Sequence, residues 1–297
     1  MREKVLERAK TFLYHNARLL DRRRFEYFFE GGSKEAVISA LAAYQNEDGG
    51  FGNALEPDIR CPHSQPVATE VALMVMDEIE GFDRDMLLGI VRYLKTIALE
   101  TGGFPLASRE LNKYPHAPWW TVKEKKDLSA NINPTGRILG LLFKQQAVTD
   151  FYEEAWFQKS LQYVWEYLMS HEHPEGYHDG VQWISFLEQV PDRQRAEWVL
   201  TSKLDKWLSK PDTIERNPAA EGYVHFVTDW APSRESYAAK FISEKEFEAH
   251  LSHLLDTQLE DGGWLINWPA VSPSALMEWR GWITVNRLRT LKSFGWI

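Results

Sequence analysis

Gln45-Asn46-Glu47-Asp48-Gly49-Gly50-Phe51 returns near the other end of the chain as Gln258-Leu259-Glu260-Asp261-Gly262-Gly263-Trp264. Each copy follows a run whose apolar residues recur at helical spacing, so the chain reuses one unit: a helix, a Gly turn carrying an aromatic, and a second helix. A helix commonly closes on a residue in the left-handed region, which glycine enters without a Cβ penalty, and the aromatic after it can fold back as an apolar plug. Weaker copies stand at Gly102-Gly103-Phe104, Glu175-Gly176-Tyr177 and Glu221-Gly222-Tyr223, giving five units.

Working outward from the turns, the spacing predicts first helices near 33–45, 85–99, 152–170, 192–209 and 244–258. Second helices are predicted near 66–79, 133–146, 180–190, 232–241 and 273–292, and an opening helix over 3–20. Pro66, Pro134, Pro232 and Pro273 stand at the starts of four second helices, where a missing N–H is not needed. The stretch 66–79 is apolar on most faces and reads as buried, whereas 85–99 keeps Arg92 and Lys95 for solvent. Alternating outer and inner helices predict an all-α chain, an α/α toroid (barrel) of about five to six helical hairpins, forming a single domain over 1–297.

A net charge of −9 gives no electrostatic footprint for nucleic acid. The single cysteine, Cys61, cannot form an internal disulfide. The first residues lack the apolar core of a signal peptide, and no apolar run approaches the roughly 20 residues that span a bilayer. The chain therefore reads as soluble and cytoplasmic, with no transmembrane segment. Its 13 tryptophans point to an aromatic-lined cavity, with packing between helices as the alternative use.

The two complete turns resemble the glutamine–tryptophan repeats of the squalene/hopene cyclase and protein prenyltransferase superfamily. That resemblance, which follows the helix order over nearly the whole chain, implies turns that staple an α/α toroid and a ligand of isoprenoid type. The acid motif Asp-x-Asp-Asp of such cyclases and the Asp-Asp-x-x-Asp magnesium motif do not occur. Prenyltransferase β subunits hold zinc with an Asp, a Cys and a His. Here Asp58, Cys61 and His63 share one loop, at a different spacing. No cofactor is firmly implied; zinc on Asp58, Cys61 and His63, or magnesium, are the alternatives.

If every Gly turn leads from an outer to an inner helix, the inner-helix N-termini converge at one end, where unpaired N–H groups suit an anionic group. Candidate catalytic carboxylates there are Glu56, Asp58, Glu70 and Asp229. Glu70 is notable because its helix is otherwise apolar, so it either acts as an acid with a raised pKa or pairs with an arginine. Candidate substrate-binding residues are Arg60, His63, His116, Trp119, Trp120, Arg137, His225, Trp230, Arg234, Trp268, Trp279 and Trp282. His116, Trp119 and Trp120 lie in the long connection 104–132, and His225, Asp229 and Trp230 in 210–231, lengths that suit lids or plugs. Trp279 and Trp282, three apart, share a helical face.

These features predict a small-molecule ligand. The first function is a prenyltransferase or terpene cyclase-like protein acting on or binding an isoprenoid in a central aromatic cavity. The alternatives are a carbohydrate-active enzyme with a carboxylate pair, or a non-catalytic binding or scaffold toroid.

Overall fold

The computed structural model describes residues 2–297, apart from the side chains of residues 2, 3, 126 and 127. The helices in chain order are α1 (Arg2–Asn16), α2 (Leu19–Phe29), α3 (Lys34–Ala42), α4 (Pro66–Glu78), α5 (Arg84–Ile97), α6 (Ile132–Lys144) and α7 (Ala155–Ser170). There follow α8 (Tyr177–Gln189), α9 (Arg193–Val199), α10 (Asp205–Leu208), α11 (Val227–Trp230), α12 (Glu244–Asp256) and α13 (Pro273–Ser293). Among the described residues no strand extends beyond an isolated bridge, so the fold class is all-α. Among the described residues no helix is long and apolar enough to cross a membrane.

The chain forms two compact units. One takes in the chain up to Ala40 together with Leu208–Ile297, and the other is Leu41–Trp207. In the Leu41–Trp207 unit, α6 packs between α4 and α8, and α7 lies against α6. Helix α4 buries nearly every residue from Pro66 to Met76, as its composition demands. Helix α5 buries only one stripe, Met86, Leu87, Ile90, Tyr93 and Leu94, and Asp83 caps it by accepting the Met86 N–H at 2.9 Å. In the other unit α1 and α2 pack on α13, and α11 packs on α12.

The Gly turns act as staples. Gln45 donates its side-chain amide to the carbonyls of Gly49 and Met86, 3.0 and 3.1 Å away. Gln258 repeats this on Gly262 and Val5, at 2.9 Å each. Asp48 and Asp261 accept the N–H of Gly50 and Gly263 respectively. Gly49 and Gly262 have positive φ and press on the backbone of Gly89 and Arg8, three residues beyond Met86 and Val5. The turn at Gly102 makes the same approach to Lys159 of α7, with Ser160 accepting the Gly103 N–H in place of an aspartate. Phe51, Phe104 and Trp264 are fully buried plugs. The other two turns are not stapled: Gly176 is extended, nothing crowds Gly222, and Tyr223 is exposed.

Three elements differ from the sequence expectation. The opening helix breaks after Asn16, and α2 follows as a separate helix. Its charged sequence hides a core face in which Asp21 and Arg24 are fully buried, paired at 3.1 Å. The run expected to be helical near 192–209 is interrupted by a π turn over Leu200–Leu204. No α-helix forms over 232–241. The Ser236 hydroxyl takes the Ser233 N–H, a local bond that competes with a helical ladder, and a 3₁₀ stretch follows at Tyr237–Phe241.

Candidate functional site

Residues 55–65 and 104–132 build a small core of their own within the Leu41–Trp207 unit. Ile59 bridges to His116, the Arg60 N–H donates to Pro115, and the Ala117 N–H donates to Asp58. Ile59, Cys61, Val67, Ala107, Leu111 and Val122 form the apolar centre, flanked by Tyr114, Trp120 and Leu128. Cys61 is wholly buried there, and burial pushes its thiol pKa up. His63 Nε2 meets the Tyr114 hydroxyl at 3.1 Å, and His116 Nε2 meets the Thr121 hydroxyl at 2.9 Å. Arg60 leans on the Pro57 carbonyl, and Glu56 and Asp58 are buried.

This arrangement corrects several sequence expectations. Among the described residues no three His, Cys, Asp or Glu side chains gather as a metal site, so Asp58, Cys61 and His63 do not form the alternative zinc set. Cys61 belongs to the core, His63 and His116 tie the loop together, and Trp120 packs against it; Trp119 stays exposed. The long connection is held structure, with Gln65 clasping Ser108 through both its amide N–H and its carbonyl.

Helices α4, α6 and α8 bring a second group together. Gln182 Nε2 donates to Glu70 Oε1 at 2.6 Å and to Asn133 Oδ1 at 3.1 Å, while Gln182 Oε1 accepts the Arg137 N–H at 2.6 Å. Arg137 Nη1 lies 3.3 Å from Glu70 Oε1. Burial raises the Glu70 pKa, opposed by Arg137 and Gln182. With two donors on its carboxylate, Glu70 is the anchor of a buried ion pair, the second of the two roles open to it from sequence. His178, one turn before Gln182 on α8, is solvent-accessible, yet surrounding protein and Arg137 lower its pKa.

The unit containing Leu208–Ile297 builds a different wall. His225 meets Tyr223 edge-on at 5.0 Å, Tyr223 meets Trp268 at 6.2 Å, and Trp268 meets Trp279 at 5.1 Å, each near-perpendicular. Asn267 fastens this face by donating to the Val224 carbonyl at 2.9 Å. One helical turn beyond His225, Asp229 accepts the Phe226 N–H at 2.7 Å. Asp229 is touched by solvent, but burial pushes its pKa up against the pull of that N–H and of Arg287. Arg287 is driven down to about 10 by the same desolvation.

Three candidates fall elsewhere. Trp282 is in the core with the Arg24 guanidinium 3.7 Å from its ring, so it and Trp279 divide between core and surface despite their spacing. Trp230 is buried in the core. Arg234 is spent on Glu244, holding both carboxylate oxygens at the surface. Sequence reasoning missed Gln182, Asn133 and Arg287; the available signals were Gln182 one turn after His178 and Arg287 two turns after Trp279 on the same helix.

No protein-family model matches the chain, and no curated protein matches its sequence. A solved structure of a protein from Actinoplanes is similar in fold, with a TM-score of 0.55 and 13% identity over 99% of both chains.

Proposed function

We propose that the protein is a terpenoid cyclase-like α/α protein, and that it binds an isoprenoid-type ligand against the aromatic wall of Tyr223, Trp268 and Trp279. Asp229 is the proton carrier of that wall. The observation that carries this reading is the run of edge-on ring contacts from His225 through Tyr223 and Trp268 to Trp279, with Asp229, an exposed carboxyl group whose pKa is pushed up by surrounding protein, four residues beyond His225. A proton delivered to an olefin leaves a carbocation, and the faces of Trp268 and Trp279 are suited to stabilise one by cation–π attraction. The repeated Gln–Gly–aromatic staples support the toroid expected from sequence.

A carbohydrate ligand is the second reading. It is favoured by Trp279, whose indole N–H is buried without an acceptor among the described residues and could serve a hydroxyl. Hydrolysis of a glycosidic bond uses two carboxylates, whereas protonation of an olefin uses one, and Asp229 is the one that this wall supplies. This difference ranks the isoprenoid first.

Thermal shift measurements with polyprenyl olefins, prenyl diphosphates and oligosaccharides test the choice. The isoprenoid reading expects saturable stabilisation by an isoprenoid that is lost in Trp268→Ala. Stabilisation by oligosaccharides alone would replace it with the second reading.

A further inference from the structure

Helix α7 gives one face to the core and keeps a second stripe at the surface. Trp156, Phe157, Ser160, Val164 and Leu168 are buried. Ala155, Lys159, Gln162 and Glu166 recur at helical spacing on another side and, with Trp165 and with Arg195 of α9, line a groove of about 570 Å³. The whole groove belongs to the Leu41–Trp207 unit.

Its cations are positioned but unpaired. The Arg195 guanidinium lies 4.3 Å from the ring centre of Trp165, so a buried indole holds it by its face. Asp192 takes the Arg195 backbone N–H at 3.2 Å, which caps α9 and leaves the guanidinium aside. Among the described residues neither that guanidinium nor the Lys159 ammonium meets an acceptor. Glu166 is the one acid among the described lining residues; it is exposed and accepts the Gln162 amide at 2.7 Å. An arginine fork held on an aromatic face with its N–H groups open suits a carboxylate.

Beyond the cations the surface turns apolar. Trp198, one turn after Arg195, and Met169, one turn after Trp165, are both exposed. Lys203 joins them, donating to the Met169 carbonyl at 3.0 Å with its ammonium 5.9 Å from the Trp198 ring centre. Two cations followed by an apolar end therefore run in one direction along α7.

Length decides between a compact anion and a chain. Ala155 to Glu166 spans about 16 Å along the helix axis, which an extended chain covers in about five residues. Lys159 and Trp165, which carries Arg195, stand about 9 Å apart on that axis. A single phosphate or small carboxylate reaches one of the two cations. An extended peptide sets alternate side chains on one side about 7 Å apart, and the flexible lysine stem spans the rest. A nucleic-acid strand would bring further phosphates onto a chain of net charge −9. We infer that this groove docks an extended acidic segment of a partner protein, with one carboxylate on Arg195, a second two residues away on Lys159, and an apolar side chain against Trp198 and Met169.

The test is fluorescence anisotropy on the full chain with fluorescein-labelled Glu-x-Glu-Leu-Leu peptides and their reversed sequences, x being Ser, Val or Pro. The controls are the same peptides with Gln for Glu, and oligothymidylate of equal charge. At least one acidic peptide should bind saturably, about tenfold tighter than its Gln counterpart. Arg195→Gln and Lys159→Glu should each weaken it about tenfold, and Trp198→Ala severalfold. Lys159 and Trp198 are exposed, so their variants should keep the wild-type unfolding midpoint. Trp268→Ala should leave peptide binding unchanged, which separates the groove from the aromatic wall. No binding of any acidic peptide, equal affinity for the Gln peptides, tighter binding of oligothymidylate, or undiminished affinity in Lys159→Glu would overturn the assignment.

Discussion

Gln258 donates its side-chain amide to the carbonyl oxygen of Val5 at 2.9 Å, so the last Gly-Gly turn is fastened to the first helix of the chain. The same amide also closes its own turn on Gly262. Gln258→Ala removes both bonds, but it also removes an Oε1 that is buried without a partner among the described residues. The expected loss is therefore about 1 kcal/mol in denaturant unfolding.

Gly262→Ala should be worse. The residue has φ of +95°, and a Cβ would overlap the Arg8 carbonyl oxygen, which is backbone and cannot swing away. Strain and overlap together should cost roughly 3 kcal/mol or more. Gly222→Ala provides the control: φ is also positive, at +86°, but nothing among the described residues lies within 4 Å of the added Cβ, so about 1 kcal/mol is expected from the backbone alone.

Arg280 is expected to resist its nearest replacement. Its Nη2 meets both oxygens of Asp261 at 2.7 and 2.8 Å, its Nε meets the Trp264 carbonyl at 3.1 Å, and its guanidinium lies 4.5 Å from the Phe12 ring centre. A lysine keeps the charge but cannot make the planar set. Arg280→Lys should lower stability by about 2 kcal/mol in chemical denaturation, discounted for the partly exposed Asp261. A loss below half that value would show that the charge alone matters.

These contacts show how far the sequence could be read. The Gly-Gly-aromatic turns were legible because their chemistry is local: a positive φ, an aspartate two residues before the N–H it accepts, an aromatic plug. Helix α2 was not, because Asp21 and Arg24 look like solvent residues until each is seen to bury the other. The segment from Glu56 to His63 was recognisable as dense in chemistry, but nothing local reveals that Cys61 turns into a core and His63 toward Tyr114. Glu70 was legible as an anomaly, while its partners Arg137 and Gln182 come from helices far along the chain.

Two histidines set an acid limb on stability. Burial lowers the pKa of His178 and of His250, the latter buried with Nε2 3.2 Å from the Arg216 carbonyl. Because their folded pKa values are depressed, the unfolded chain takes up protons first as pH falls. Stability from these groups is complete above about pH 6.5. It declines as pH drops through the folded values. The unfolding midpoint should therefore fall between pH 7 and pH 5, and His250→Gln should flatten that slope even if it lowers the midpoint at pH 7.

The two tryptophans three residues apart should behave oppositely. Trp282→Ala removes a buried ring beneath Arg24 and should cost about 3 kcal/mol or more, through the cavity and the exposed guanidinium. Trp279→Ala removes a half-buried ring that packs on Trp268 and should lower stability less while weakening ligand binding. Equal stability losses with equal ligand affinities would remove Trp279 from the wall.

The role proposed for Asp229 is delivery of a proton to an isoprenoid. Its most direct measurement is product analysis after incubating the protein with polyprenyl olefins in heavy water. Protonation of the olefin followed by proton loss from the cation yields an isomer carrying one deuterium from solvent. That isomer is expected from the wild-type protein and none from Asp229→Asn, whose amide oxygen can still accept the Phe226 N–H. Labelled product at an undiminished rate from Asp229→Asn, or no labelled product from the wild-type protein with any olefin it binds, would contradict it.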